Sequence, residues 1–200
     1  MAQNAALRDE LLALAAKDQA VRTALAADGS LFQGYHRRMA EVHRHNALRL
    51  AAVLAEHGWP GRSLVGADGA AAAWTILQHA IGQPALLRRG LELLRQAAAR
   101  GEAPAAQVAL LDDRIRTLEG RPQVYGTQHD WDARGQLSPL SVEDPASVEE
   151  RRRAVGLEPL ADQTARLREA ARREGDGPPP DFAARQRQRE QWARAAGWRH

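Results

Sequence analysis

Between Gly66 and Ala80 the chain offers a helix with almost no polar side: from Ala70 to Leu77 every residue is apolar except Thr75. A helix that is apolar all round is normally buried on every side, so the rest of the chain is expected to pack around this segment. It ends in Gln78 and His79, two strongly polar groups at the edge of the expected core. Buried polar groups need hydrogen-bond partners, which other segments must bring. The segment therefore predicts both an architecture and a polar pocket at one end of a central helix.

Composition points the same way. Of the 200 residues, 44% are hydrophobic, 26% charged and only 4% aromatic. That mixture suits an Ala- and Leu-rich helical protein, whereas a sandwich or barrel draws on more Val, Ile, Thr and aromatic residues. No run is apolar for about 18 residues, the length a membrane span needs. The sequence opens without the basic and apolar regions of a secretory signal, and it has no Cys, which excludes disulfides, thiolate metal sites and Cys nucleophiles. A cytoplasmic protein is expected. The net charge of +3 resides in residues 181–200, where five Arg face Asp181 and Glu190. The near-neutral body argues against a domain that tracks a nucleic-acid backbone.

Periodicity predicts helices over about residues 5–27, 31–57, 67–80, 84–99 and 104–118, then a short helix near 147–155 and a last body helix over 159–174. Asp18, Gln19 and Arg22 fall within the first and read as a solvated face with an i,i+4 pair. The second carries His36, His43, His45 and Asn46. A metal site here fails on spacing, since His43 and His45 point to different sides and His36 and His43 stand two turns apart, and no metal ligand is expected. His57 suits a helix C-terminus, where a cation is favoured. Asp68 is the expected N-cap of the central helix. In the fifth helix Val108, Leu111, Ile115 and Leu118 form the core stripe, and Leu110, Asp113, Arg114 and Thr117 share a second face. Residues 123–128 read as an extended strand that returns over 136–142, giving one small hairpin. The fold class is therefore mainly α, a helical bundle around a buried Ala-rich central helix with one small β-hairpin near residues 122–142. One helical domain over 1–174, a Gly/Pro linker at 175–180 and a basic tail over 181–200 are expected. The tail's Arg and Trp offer themselves to an acidic partner or to its own body.

Several of these residues carry a resemblance. Gly58-Trp59-Pro60, Val65-Gly66, Gln78-His79-Ala80, Asp113-Arg114, Gly120 with Gln123, Tyr125-Gly126-Thr127-Gln128 and Arg152-Arg153 with Gly156-Leu157 together resemble an uncharacterised bacterial family of unknown function. Its pattern runs Gly-Trp-Pro, Gln-His-Ala, Asp-Arg, Tyr-Gly-Thr-Gln and Arg-Arg-x-x-Gly-Leu, with an upstream Asp-Gln-x-x-Arg matching Asp18, Gln19 and Arg22. The resemblance spans about residues 7–165 and leaves out the tail. His43 stands where the family pattern has Asp, which puts that helix position in doubt. The resemblance marks residues without implying a reaction.

Two functional readings follow. In the first, a pocket at the polar end of the central helix binds a small anionic ligand or does metal-independent acid/base chemistry of the hydrolase or lyase type. His79 is the acid/base there, and Asp113 or a Gln sets its tautomer. Arg114 holds the anion, and Gln78, Gln123, Tyr125, Thr127, Gln128 and Trp59 are the ligand-binding candidates. No Ser or Cys sits in a nucleophile elbow, no phosphate loop is present, and glycoside chemistry lacks a second acid. No cofactor is expected. In the second reading the same polar residues are a structural hydrogen-bond network in a non-catalytic interaction module.

Overall fold

The structure, a computed structural model, describes residues 2–32 and 34–200. It is mainly helical, with eight α-helices and one small antiparallel sheet among the described residues. No described helix is long and apolar enough to cross a membrane. The chain falls into two compact units, Met1–Val108 and Ala109–His200. The boundary between them lies inside a helix.

In the first unit, α1 (Ala5–Ala27), α2 (Arg37–His57), α3 (Arg62–His79) and α4 (Pro84–Ala99) pack as a bundle. Local chemistry sets their ends. Asn4 Oδ1 accepts from the Leu7 amide at 3.0 Å to cap α1, and His36 Nδ1 accepts from the Arg38 amide at 3.1 Å to cap α2. Both are N-cap bonds to otherwise orphaned amides. The core joins Leu11 and Leu25 of α1 to Leu50 and Val53 of α2, Ile76 and Leu77 of α3, and Leu87 and Leu94 of α4, all almost fully buried.

The central segment is α3, and it differs from expectation in two ways. Its helical run breaks at Gly66, with φ 75° and ψ 172°, a conformation open essentially to glycine alone. Asp68 therefore does not start the helix; its Oδ1 accepts from the Gly69 amide at 2.9 Å, and Arg8 holds its carboxylate. Nor is α3 buried on every side. Val65, Gly69, Ala72, Ala73, Ile76 and Leu77 face the core, whereas Ala67 and Ala71 are exposed. A methyl group costs little to leave in water, so an alanine run does not by itself demand cover. The approach of α4 to α3 depends on Gly90, where a Cβ would stand 2.5 Å from Leu77 Cδ1.

The second unit begins within α5 (Ala105–Leu118) and adds β1 (His129–Trp131), β2 (Leu137–Pro139), α6 (Val148–Ala154), α7 (Leu160–Glu174) and α8 (Phe182–Ala195). The sheet pairs His129 with Pro139, Asp130 with Ser138 and Trp131 with Leu137. The expected hairpin exists but is shorter, and Tyr125-Gly-Thr-Gln128 is a loop rather than a strand. The basic segment is a docked helix. Asp181 caps α8, Arg185 and Arg189 reach Asp130 at 2.9 and 3.0 Å, and Ala193 and Trp198 are buried. Arg199 donates to the carbonyls of Thr117 and Leu118 at 2.8 Å each, where a cation suits the end of α5.

Candidate functional site

The sequence-derived candidates separate into two polar groups, one in each unit. In the second unit Asp113, on the buried face of α5, is 0% exposed. Its Oδ1 accepts from the amides of Val124 at 2.7 Å and Tyr125 at 3.1 Å. Its Oδ2 accepts from the Thr127 amide at 2.9 Å and the Thr127 hydroxyl at 3.0 Å. The carboxylate thus organises the Tyr-Gly-Thr-Gln loop, which is why that segment does not extend into a strand. Gln123, fully buried, donates through Nε2 to the carbonyls of Gln128 and Leu140 and accepts at Oε1 from the Gln128 amide. Arg114 donates to Gln128 Oε1 at 3.1 Å, and its burial lowers the guanidinium to about 10.

The loop is closed from the other side by Arg152, a guanidinium with no exposed surface. It donates to the carbonyls of Glu158 and Tyr125 and to Gln163 Oε1 at 2.6–2.7 Å. Gln163 in turn donates to the Thr127 carbonyl at 3.3 Å. No buried side-chain polar atom of Asp113, Gln123, Thr127, Arg152 or Gln163 lacks a partner. Gln123, Tyr125, Thr127 and Gln128, expected as ligand-binding groups, bond to one another, to Asp113 and to Arg152. Trp59 likewise packs into the core of the first unit, 6% exposed.

His79 belongs to the first unit and its carboxylate partner is Asp18, not Asp113. Asp18 is 1% exposed, so the expected solvated face does not include it. His79 Nδ1 lies 3.0 Å from Asp18 Oδ2. An ionised carboxylate only accepts, so this nitrogen carries the proton. His43 Nε2 lies 3.3 Å from the same oxygen, near enough for an ion pair but poorly aligned for a hydrogen bond. The His43 and His79 rings face each other with centroids 5.1 Å apart. On the far side of His43, Nδ1 meets the Tyr35 hydroxyl at 2.8 Å. Burial pushes the Asp18 carboxyl up, but the close approach of His43, the hydrogen bond from His79 and the charges of both outweigh it and hold the group well below the usual carboxylate range. Burial, with the Asp18 charge behind it, pushes Tyr35 up to about 12.

This cluster contrasts with the one around Asp113. Asp18 Oδ1 and His43 Nε2 are buried without a hydrogen-bond partner, and Asn46 Oδ1, one turn beyond His43 on α2, is a third such atom. The His79 side chain keeps 27% of its surface exposed, and Gln78 beside it is half-buried. The other α2 histidines stay apart: His36 is a cap, His45 is exposed, and His57 meets Glu56 at 3.4 Å. Sequence reasoning passed over Asp18, His43 and Tyr35 as site residues. The available signal was the Asp-Gln-x-x-Arg pattern at a helix position that periodicity alone reads as solvated.

A family model described as a family of unknown function (DUF6624) matches residues 5–173, a span that holds both clusters and stops short of α8. No curated protein and no solved structure matches the chain. With more than four-fifths of its length inside that match, the chain belongs to the family of unknown function DUF6624.

Proposed function

We propose that the first unit binds a small anionic ligand at the Asp18–His43–His79 cluster and carries out acid/base chemistry of the hydrolase or lyase type there. One observation carries this reading. Buried polar groups are almost always satisfied, as they are around Asp113, yet this carboxylate and imidazole retain unmet hydrogen-bonding capacity in an Ala/Leu core. A set kept only for stability gains nothing from unpaired atoms, each of which costs about 1–3 kcal/mol. Protons are exchanged at the His79 edge, the exposed side of the cluster. An anion is favoured by the two imidazoles.

The second reading, a non-catalytic module with a structural network, draws its support from the satisfied bonds around Asp113 and applies to the second unit. A thermal-shift screen against fractionated metabolites separates the two. Wild type is expected to be stabilised by an anionic fraction. His79→Gln should stay folded and lose that response, and Arg114→Ala should lower the melting point. Should no fraction stabilise wild type, or should His79→Gln respond as wild type does, the ligand site is refuted.

A further inference from the structure

We propose that Asp18, His43 and His79 together hold a divalent first-row transition-metal ion, Zn²⁺ in the hydrolytic case. This rests on the reading of the cluster as the functional centre and goes beyond it by naming its first ligand. One side chain comes from each of α1, α2 and α3, and their three donor atoms lie within 4.8 Å of one another. Donors bound to one ion at about 2.0–2.1 Å stand roughly 3.3 Å apart in a tetrahedral site. The Asp18–His79 and Asp18–His43 separations, 3.0 and 3.3 Å, match that spacing. His43 Nε2 lies at this distance from the carboxylate without the alignment of a hydrogen bond, as expected of two donors aimed at a shared point.

The buried, unpartnered atoms are the independent observation. Asp18 is 1% exposed and its Oδ1 has no partner, and a cation against the carboxylate relieves that deficit. Tyr35 supplies the supporting contact that metal-bound imidazoles require. With His43 Nδ1–H donating to the Tyr35 oxygen, the Nε2 lone pair turns toward Asp18. Two imidazole nitrogens and one carboxylate suit Zn²⁺ or Fe²⁺ and disfavour Ca²⁺ and Mg²⁺, which take oxygen ligands. Three protein ligands leave a position open, the arrangement of catalytic rather than structural zinc. Water in that position is acidified and becomes the base at the exposed edge. When the ion takes Nδ1, the proton there moves to Nε2, so the imidazole binds as a neutral ligand.

The test uses the full chain, stripped with EDTA and titrated with ZnCl₂ by calorimetry and with CoCl₂ by visible absorption. One ion per chain is expected, with visible Co²⁺ bands and a higher melting point. His43→Gln, His79→Gln and Asp18→Asn should each weaken binding by at least tenfold, and Tyr35→Phe by about 10- to 100-fold, while the exposed His45→Gln binds as wild type does. Absence of saturable binding to wild type overturns the proposal, and so does binding that survives the double change His43→Gln with His79→Gln. If a variant fails to fold, X-ray absorption on Zn²⁺-loaded wild type decides, since it must show two imidazoles in the first shell. Loss of the metabolite response in His79→Gln without any metal binding rejects the ion and keeps the ligand site. Metal binding with no metabolite response does the reverse.

Discussion

Two aspartates in this chain are almost wholly buried and do opposite things. Asp113 has both oxygens filled by loop amides and a hydroxyl, so removing it strands several buried donors at once. Asp113→Ala should lower stability by on the order of 3 kcal/mol or more in urea unfolding, with Asp113→Asn in between; an unchanged midpoint would show the loop is held by other means. Asp18 instead keeps one oxygen unpaired. His129 gives the pH dependence. Burial lowers its pKa below 6.5, a hydrogen bond donated to the Thr127 backbone carbonyl opposes the shift, and the charges of Arg152, Arg168 and Arg166 add to it. A depressed folded pKa means the unfolded chain binds the proton more readily. Stability is therefore full above about pH 6.5 and falls as the pH drops through the lower folded value. His129→Gln should flatten the melting-point decline between about pH 6.5 and 5, and an identical decline in both proteins would assign it to other groups.

Among the elements, α1 and α4 were the most legible, because leucine spacing and Gly or Pro punctuation act over a few residues. The closeness of α4 to α3 was not. Gly90 reads as a weak helix position, yet it is the point where α4 meets Leu77. Leu77 has no exposed surface to move into, so Gly90→Ala should cost about 1–3 kcal/mol from overpacking, against a gain of about 1 kcal/mol in helix propensity. A denaturant midpoint above that of wild type would mean Leu77 has another rotamer available. The Tyr-Gly-Thr-Gln segment alternates like a strand, but strand alternation does not reveal a carboxylate elsewhere in the chain that collects its amides. The last helix was legible only as a choice, since its arginines suit an outside partner or the protein's own body, and two of them meet Asp130. Asp130→Ala should loosen α8, seen as several-fold faster tryptic cleavage at Arg185 and Arg187; wild-type protection in the variant would place its anchorage in Ala193, Trp198 and Arg199 alone.

For the molecule as a whole, helix content and the identity of the polar residues were readable, while their grouping was not. Asp18 and His79 meet across 61 positions in sequence, and no periodicity reports which distant side chains share a cavity. The sequence pattern joined His79 to Asp113, whereas each belongs to a separate hydrogen-bond network with its own balance of filled and unfilled atoms. That division predicts a division of roles. Asp113→Asn should lower the denaturant midpoint yet bind Zn²⁺ with wild-type affinity wherever it is folded, because it shares no partner with Asp18, His43 or His79 among the described residues. His79→Gln should lose at least tenfold in Zn²⁺ affinity, and its metal-free form should be destabilised by about 1–3 kcal/mol at most, the cost of leaving the buried Asp18 carboxylate without its hydrogen bond. Calorimetric titration and urea unfolding on the two variants side by side read both effects. If folded Asp113→Asn also loses the ion, the two networks are coupled, and assigning function to the first unit alone is wrong.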